Sequence, residues 1–295
     1  MRWAWWLGAW WLALGVGCAP APGVRLAMGT HHLCLLREDG SVDCALWEHA
    51  YYRDEEVQVP GDVDRWTDVA AGAGVSCGLD AEGHAHCWGE DSVPWSPVNA
   101  VPLVDTFTRI FVGGPLACGL REDGTGECFG DNDWLGDPRW WWRYRLLAPW
   151  REAMCGLATD GAVHCWGDGA LTEVEEPEGV FVDLDANEHH ACAVREDTRV
   201  VCWGEDPWGE VSGVPERAGF VGVTTGRWHS CGVTADGAVL CWGRDTWGQA
   251  SVPSRRGFVQ VGAGESSTCA LDEAGEVTCW GCNITDHWPH QCEGL

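Results

Sequence analysis

The sequence predicts an all-β chain folded as a seven-bladed β-propeller, and three observations carry the prediction. Seven cysteine pairs share one ten-residue separation: Cys34 with Cys44, Cys77 with Cys87, Cys118 with Cys128, Cys155 with Cys165, Cys192 with Cys202, Cys231 with Cys241 and Cys269 with Cys279. First cysteines of successive pairs lie 43, 41, 37, 37, 39 and 38 residues apart, so the repeat is about forty residues long and fills the chain from residue 24 onward. A glycine stands six residues after the first cysteine in six copies (Gly40, Gly83, Gly124, Gly161, Gly237, Gly275), and in six copies the residue before that position is Asp or Glu.

Within a repeat, the acid–glycine step reads as a hairpin with a three-residue loop. Two residues make a type I turn, and the glycine, lacking Cβ, takes positive φ to form the bulge. The fifth copy has Asp197-Thr198 instead; Thr198 is strained there unless the loop changes type. Counting outward from Glu38-Asp39-Gly40, Arg37 closes against Ser41, Leu36 faces Val42, and Cys34 faces Cys44. Alternation makes the cysteines a non-hydrogen-bonded pair with Cα atoms about 4.5 Å apart. A disulfide accepts roughly 4.4–6.8 Å, so each pair oxidises without bending the ladder. The chain-entropy model gives each eleven-residue loop about 3 kcal/mol, an upper figure for a preformed hairpin. Reduced core thiols or a metal site are the rival readings, but the spacing is not that of zinc knuckles.

Each unit offers three or four short strands, in the sixth copy Val221–Val223, Ser230–Val233, Val239–Trp242 and a weaker outer one near Ser251–Pro253. Such a small sheet cannot bury two apolar faces alone. Stacking the copies buries them, and forty residues is the size of a propeller blade. A closed, monomeric ring is preferred to an open solenoid, which wants atypical polar caps at both ends. Trp88, Trp166, Trp203, Trp242 and Trp280, with Phe129, follow the second cysteine and read as inter-blade packing; the first copy has Ala45-Leu46 there. His32, His190 and His229, two residues before the first cysteine, read as structural. Cys282 and Cys292 are again ten apart but enclose no acid–glycine turn, and they predict a disulfide-tied terminal loop that fastens the ring.

Composition narrows the chemistry. The formal charge is −27, and all 18 basic residues are Arg. The absence of Lys removes Schiff-base, pyridoxal-phosphate and phosphate-loop chemistry, and the acidic field disfavours a nucleic-acid partner. With 45% hydrophobic residues and 22 Trp, disorder is excluded. Residues 1–17 read as a secretory signal, with Arg2 before an apolar stretch too short to span a bilayer. Leu14-Gly15-Val16-Gly17-Cys18 resembles the bacterial lipobox, which implies Cys18 as the lipid anchor, residues 18–23 as a tether and 24–295 as the propeller. Gly15 stands where the lipobox prefers Leu, and cleavage near Ala21 is the alternative. The predicted location is the periplasm or cell surface, which favours disulfides.

The pattern His/Ser-Cys-x-Val/Leu-x-x-Asp-Gly-x-Val-x-Cys-Trp-Gly, followed by Trp-Gly-Gln and Pro, resembles the regulator of chromosome condensation repeat in the cysteine-containing form of bacterial exported proteins. The sixth and seventh copies are the specific matches. The resemblance implies a seven-bladed propeller but no single activity. Members include a nucleotide-exchange factor for a nuclear GTPase, domains fused to ligases and channels, and a secreted bacterial inhibitor of β-lactamases.

Candidate binding residues lie in the variable segments after each Trp-Gly, which join blades along one rim. Trp47, Trp95, Trp134, Trp208, Trp247 and Trp288 recur there, beside Glu90, Asp91, Asp131, Asp133, Asp168, Glu205, Asp206, Asp245 and Asp286. Exposed Trp with a charged border is how protein-binding hot spots are built; folding of these Trp back over the blade edge is the alternative. Arg139-Trp140-Trp141-Trp142-Arg143-Tyr144-Arg145 is the one basic stretch, an exposed loop for an acidic or carbohydrate ligand or a buried strand. Asp131-Asn132-Asp133 matches no complete calcium loop, and no cofactor is expected. The favoured reading is a scaffold binding a protein or glycan through this rim. Against a glycoside-processing enzyme, no acid departs from the repeat as a catalytic pair requires. A purely structural envelope component is the third reading, since fold alone supplies no function.

Overall fold

A computed structural model describes residues 24–46, 58–89, 96–102, 104–130, 140–150, 153–167 and 176–281. They form seven antiparallel three-stranded sheets, one per repeat, each ordered inner, middle, outer. Blade 1 contains β1 (Arg25–Met28), β2 (His32–Leu36) and β3 (Val42–Leu46); blade 2, β4 (Trp66–Ala71), β5 (Val75–Asp80) and β6 (Ala85–Gly89). Blade 3 contains β7 (Arg109–Gly113), β8 (Leu116–Leu120) and β9 (Gly126–Gly130); blade 4, β10 (Tyr144–Pro149), β11 (Ala153–Ala158) and β12 (Val163–Gly167). Blades 5 and 6 follow as β13 (Phe181–Ala186), β14 (His190–Arg195), β15 (Val200–Gly204), β16 (Phe220–Thr225), β17 (His229–Thr234) and β18 (Val239–Gly243). Blade 7 contains β19 (Phe258–Ala263), β20 (Thr268–Asp272) and β21 (Val277–Trp280).

The turn sets the register as counted. Arg37 donates its N–H to Ser41 O at 2.8 Å, and Gly40, at φ 84°, donates to Arg37 O at 2.9 Å. Leu36 then faces Val42 and Cys34 faces Cys44. Every pair expected within a hairpin is a disulfide: Cys34 is bonded to Cys44, Cys77 to Cys87, Cys118 to Cys128 and Cys155 to Cys165. In the last three blades Cys192 is bonded to Cys202, Cys231 to Cys241 and Cys269 to Cys279. Their Cα atoms lie 4.0–4.1 Å apart, slightly closer than the ladder alone requires. In blade 5 the loop keeps its type and Thr198 takes φ 65°. Its Oγ1 accepts the Gly219 N–H at 2.9 Å, which ties the strained residue to the next inter-blade loop.

Of the three or four strands expected per unit, three form among the described residues, and the weaker outer one is not seen. In blade 6 the segment after β18 packs Val252 against the apolar cluster of Val233, Phe258 and Trp280 instead, and Pro253 has no N–H to offer a ladder.

Blades stack through side chains that repeat. Trp242 fills the space beside Val194, Val200 and Phe220, and Trp166 packs with Phe111, Leu120 and Tyr144. The aromatic after the second cysteine therefore belongs to the interface with the preceding blade. In blades 2, 3, 4 and 6 the large ring that opens the inner-strand segment lies over the glycine following the first cysteine. A Cβ on Gly232 would fall 2.6 Å from the Phe220 ring, and one on Gly119 would clash with the ring of Phe107.

Inner strands are also tied to each other by polar side chains at one repeat position. Asp68 Oδ2 accepts Ile110 N–H at 2.9 Å, and Asp183 Oδ2 accepts Val223 N–H at 2.9 Å. At the seam between blades 7 and 1, Gln260 Oε1 accepts Leu26 N–H at 3.0 Å and its Nε2 donates to Leu26 O at 2.7 Å. An aliphatic cluster of Leu26, Leu33, Leu35 and Leu271 completes the closure. The ring thus shuts through described core residues; Cys282 and Cys292 lie outside them as a pair, since the described chain stops at residue 281. The inner strands enclose a central channel of about 1210 Å³.

Two stability changes follow. Gln260→Ala leaves both Leu26 backbone groups without their partner and is expected to destabilise the fold by about 1–3 kcal/mol, read as a lower urea midpoint. Thr198→Gly relieves the left-handed backbone but removes the hydroxyl that accepts the Gly219 N–H, so the two offset and stability is expected to stay within about 1 kcal/mol; a larger shift of the urea midpoint contradicts it.

Candidate functional site

In each blade the inner and outer strands end on the same face, which therefore gathers the inner-to-middle turns, the channel mouth and the start of every inter-blade loop. Trp208 and Trp247 stand here at equivalent positions in adjacent blades, 52% and 41% exposed. Their loops are pinned from within. The Trp208 N–H donates to buried Glu210 Oε2 at 2.8 Å, and the Trp247 N–H donates to buried Gln249 Oε1 at 2.8 Å. Burial raises the Glu210 carboxyl above the usual range.

Asp206 and Asp245 are exposed, but each also shapes its own loop. Asp206 accepts Val211 N–H at 2.8 Å and Ser212 N–H at 3.2 Å; Asp245 accepts Ala250 N–H at 2.9 Å and Ser251 Oγ–H at 2.7 Å. Partial burial would raise Asp206, yet hydrogen bonds from Ser212 and Val211 outweigh it and hold the carboxyl below its ordinary range. Trp95, Trp134, Trp288, Asp91 and Asp133 lie outside the described residues, as do Trp47 and Cys18.

Composition and spacing did not single out the channel mouth itself. Glu265 pairs with Arg227 and with His31 at 3.5 Å, and Arg227 pairs with Glu188 at 3.5 Å. His189 contacts Glu188 at 2.9 Å and Glu205 at 3.0 Å, and stacks on Trp228 with ring centroids 3.9 Å apart. Apart from Glu205, which begins the loop after β15, these residues occupy the inner-to-middle turns of blades 1, 5, 6 and 7; their one sequence signal is polarity where the inner strands end.

Deeper in the channel, Asp68 sits between Arg25 and Arg109. Burial pushes Asp183 and Asp185 up to about 6, against the backbone N–H of Val223 on Asp183 and that of Thr225 on Asp185. A raised carboxyl in a cavity is often catalytic, but both of these are engaged with the next blade: Asp185 Oδ2 accepts Thr225 N–H at 2.7 Å and Thr224 Oγ1–H at 3.0 Å. On the other face, Trp140–Trp142 form a single 3₁₀ turn, so the basic stretch is not a buried strand there. Trp141 is 64% exposed, Trp142 stacks on His164 at 4.1 Å, and Arg143 pairs with Asp123 at 2.9 Å.

The three repeated histidines bridge blades. His32, His190 and His229 place Nε2 at 2.6, 2.7 and 2.8 Å from Ser76 Oγ, Ser230 Oγ and Thr268 Oγ1. For His190 the tautomer is set by Asn187. Its Oδ1 accepts the His189 and His190 N–H groups, so its Nδ2 donates to Gly226 O and faces His190 Nδ1, leaving the proton on Nε2. Among the described residues no cluster of three His, Cys, Asp or Glu is arranged to hold a metal, and no helix is long and apolar enough to cross a membrane.

Fold and contacts define a seven-bladed repeat propeller with a disulfide in every blade. Two of its repeats are of a recognisable kind: residues 220–249 and 258–284, in blades 6 and 7, match the Regulator of chromosome condensation (RCC1) repeat. No curated protein sequence matches it significantly. Among solved structures, the CRINKLY WD40 ectodomain of the Arabidopsis thaliana receptor kinase ACR4 is similar at 23% identity and TM-score 0.70, covering 88% of this chain and 95% of that one. The entire ectodomain of the Physcomitrella patens receptor kinase CR4 is similar at 26% identity and TM-score 0.68, covering 88% and 73%. Human WBSCR16 is similar at 13% identity and TM-score 0.66, covering 86% and 88%. These likenesses are of fold.

The buried histidines and channel carboxyls predict opposing pH effects. Burial pushes His32 and His229 down to about 4 and His190 to about 3. An unfolded imidazole protonates near 6.5, so the stability that these groups hold above that pH is lost as pH falls toward 4. Asp183 and Asp185 do the reverse: their contribution is present at low pH and lost as pH rises through about 6. His229→Gln is expected to flatten the acid-side loss by up to one proton, about 1.4 kcal/mol per pH unit. Urea midpoints between pH 7 and pH 4.5 check this, and an unchanged slope contradicts it.

Proposed function

We propose that this is an exported envelope propeller, anchored by lipid at Cys18, that binds a protein partner through the rim carrying Trp208 and Trp247. Seven disulfides fit an oxidising compartment. The observation that carries the reading is the pair of half-exposed indoles at one repeat position of neighbouring blades, on loops pinned by buried side chains. A large ring on a pre-ordered loop buries much area with little loss of conformational entropy. In sequence, Trp134 stands like Trp208 and Trp247 six residues after its second cysteine, and Trp95 and Trp288, with Asp91 and Asp133, fall in the corresponding variable segments, so they are proposed as further members of the same surface. Asp206 and Asp245 supply its charged border while holding the loops in shape.

A glycan ligand is the second reading. It is favoured by the exposed Trp141 beside Arg143 on the opposite face. The engagement of Asp183 and Asp185 with the adjoining blade favours binding over glycoside hydrolysis.

Replacing Trp208 and Trp247 together with Ala should leave the melting temperature within a few degrees and weaken the partner by more than about thirtyfold, the range of interface hot spots. The check is capture from envelope extract by the wild type and the double variant, identified by mass spectrometry, with binding then measured on the purified partner. Unchanged affinity, or loss of folding, rejects the assignment. Turnover of a glycan panel moves it to the enzyme reading.

A further inference from the structure

Trp208 and Trp247 share a repeat position but not an environment. Over Trp208 lies the guanidinium of Arg244, its carbon 5.1 Å from the ring centroid. Arg244 belongs to the next blade, two residues after Trp242, and is fixed by its N–H on Trp228 O at 2.8 Å and its Nε–H on Thr246 Oγ1 at 3.1 Å. Blade 7 approaches the Trp247 loop as blade 6 approaches the Trp208 loop: Gly243 lies against Glu210, and Gly281 lies against Gln249. The residue at the Arg244 position of blade 7 is Cys282, which carries no positive charge.

Among the described residues no guanidinium lies over Trp247, so its loop repeats the Trp208 loop without that contact. Asp245 stands two residues before it, exposed, with its oxygens each accepting one hydrogen bond and retaining a lone pair. Glu205 and Asp206 lie exposed on the neighbouring loop, and the whole protein carries −27. A part-exposed indole beside carboxylates attracts a cation, and a planar guanidinium both stacks on the ring and bonds a carboxylate, as an ammonium cannot.

We infer that Trp247 and Asp245 form a receptor for an arginine side chain on an extended basic segment of the partner protein, with Arg244 on Trp208 as the chain's own version of that contact. The inference rests on the rim as a protein-binding face and names the chemistry of what it binds.

The test uses the disulfide-intact protein and a fluorescent peptide of alternating Gly and Arg, against the same peptide with citrulline, the uncharged isostere. Anisotropy should show the arginine peptide binding and the citrulline peptide at least about tenfold weaker. Trp247→Ala should weaken the arginine peptide roughly three- to thirtyfold. Arg244→Ala should uncover Trp208 and raise the number of short-peptide sites from one to two. Equal binding of the citrulline peptide, a neutral Trp247→Ala, or an unchanged site number in Arg244→Ala overturns the inference. A partner whose capture needs Trp208 and Trp247 yet survives excess arginine peptide also overturns it, while leaving the protein-binding rim standing.

Discussion

The closure of a three-residue turn by a backbone hydrogen bond, Arg37 N–H to Ser41 O in the first blade, decides more of this structure than any other contact. It sets the cysteines opposite each other and, one residue beyond the second, aims an aromatic at the preceding blade. The same register, copied seven times, means that every blade carries its own cross-link, and in six of the seven it turns an aromatic to the same interface. A slip by one residue would turn the disulfide and the aromatic to opposite faces. In blades 2, 3, 4 and 6 the glycine after the first cysteine belongs to the same constraint, because the ring that opens the inner segment lies where its side chain would be.

The contacts between blades are of two physical kinds. Toward the outside they are apolar, with one aromatic per interface wherever the repeat supplies it. Toward the axis they are hydrogen bonds from buried or half-buried polar side chains to the next inner strand: Asp68 to Ile110, Asp183 to Val223 and Gln260 to Leu26. Between these layers, the imidazole–hydroxyl bridges of His32, His190 and His229 span three of the interfaces and touch the hydroxyls beside the disulfides. The polar groups give each interface a direction and a register that apolar packing alone lacks, at the expense of burying groups that titrate on the acid side of neutrality.

Much of this was legible in the sequence because it is local. Turn type, cysteine pairing and strand register follow from counting within eleven residues, and the packing role of Trp242 and its equivalents follows from repetition. The aspartates and Gln260 were not legible: alternation tells which face a residue occupies, not which backbone group waits about forty residues further on. The mouth network of Glu188, Arg227 and Glu265 escaped for the same reason, since each member sits on a different repeat. At the rim, the sequence showed Trp beside acids but not that Asp206 and Asp245 hold their own loops in shape, nor that Arg244 reaches back over Trp208. Of the three or four strands read per unit, the weaker outer one near Ser251–Pro253 is not seen; Val252 covers a neighbouring cluster instead.

The seam between blades 7 and 1 differs from the other six interfaces in its connectivity. Among the described residues, blade 1 is built from residues 25–46 and blade 7 from 258–280, with no strand exchanged between them. Every other pair of neighbours is joined by the polypeptide itself. Tension applied through residue 24 is therefore borne first by the paired amide of Gln260 and a patch of leucines, while each hairpin behind it is held by a covalent sulfur bridge. The molecule is in mechanical terms a bracelet with one clasp, built to open there before any of its links gives way.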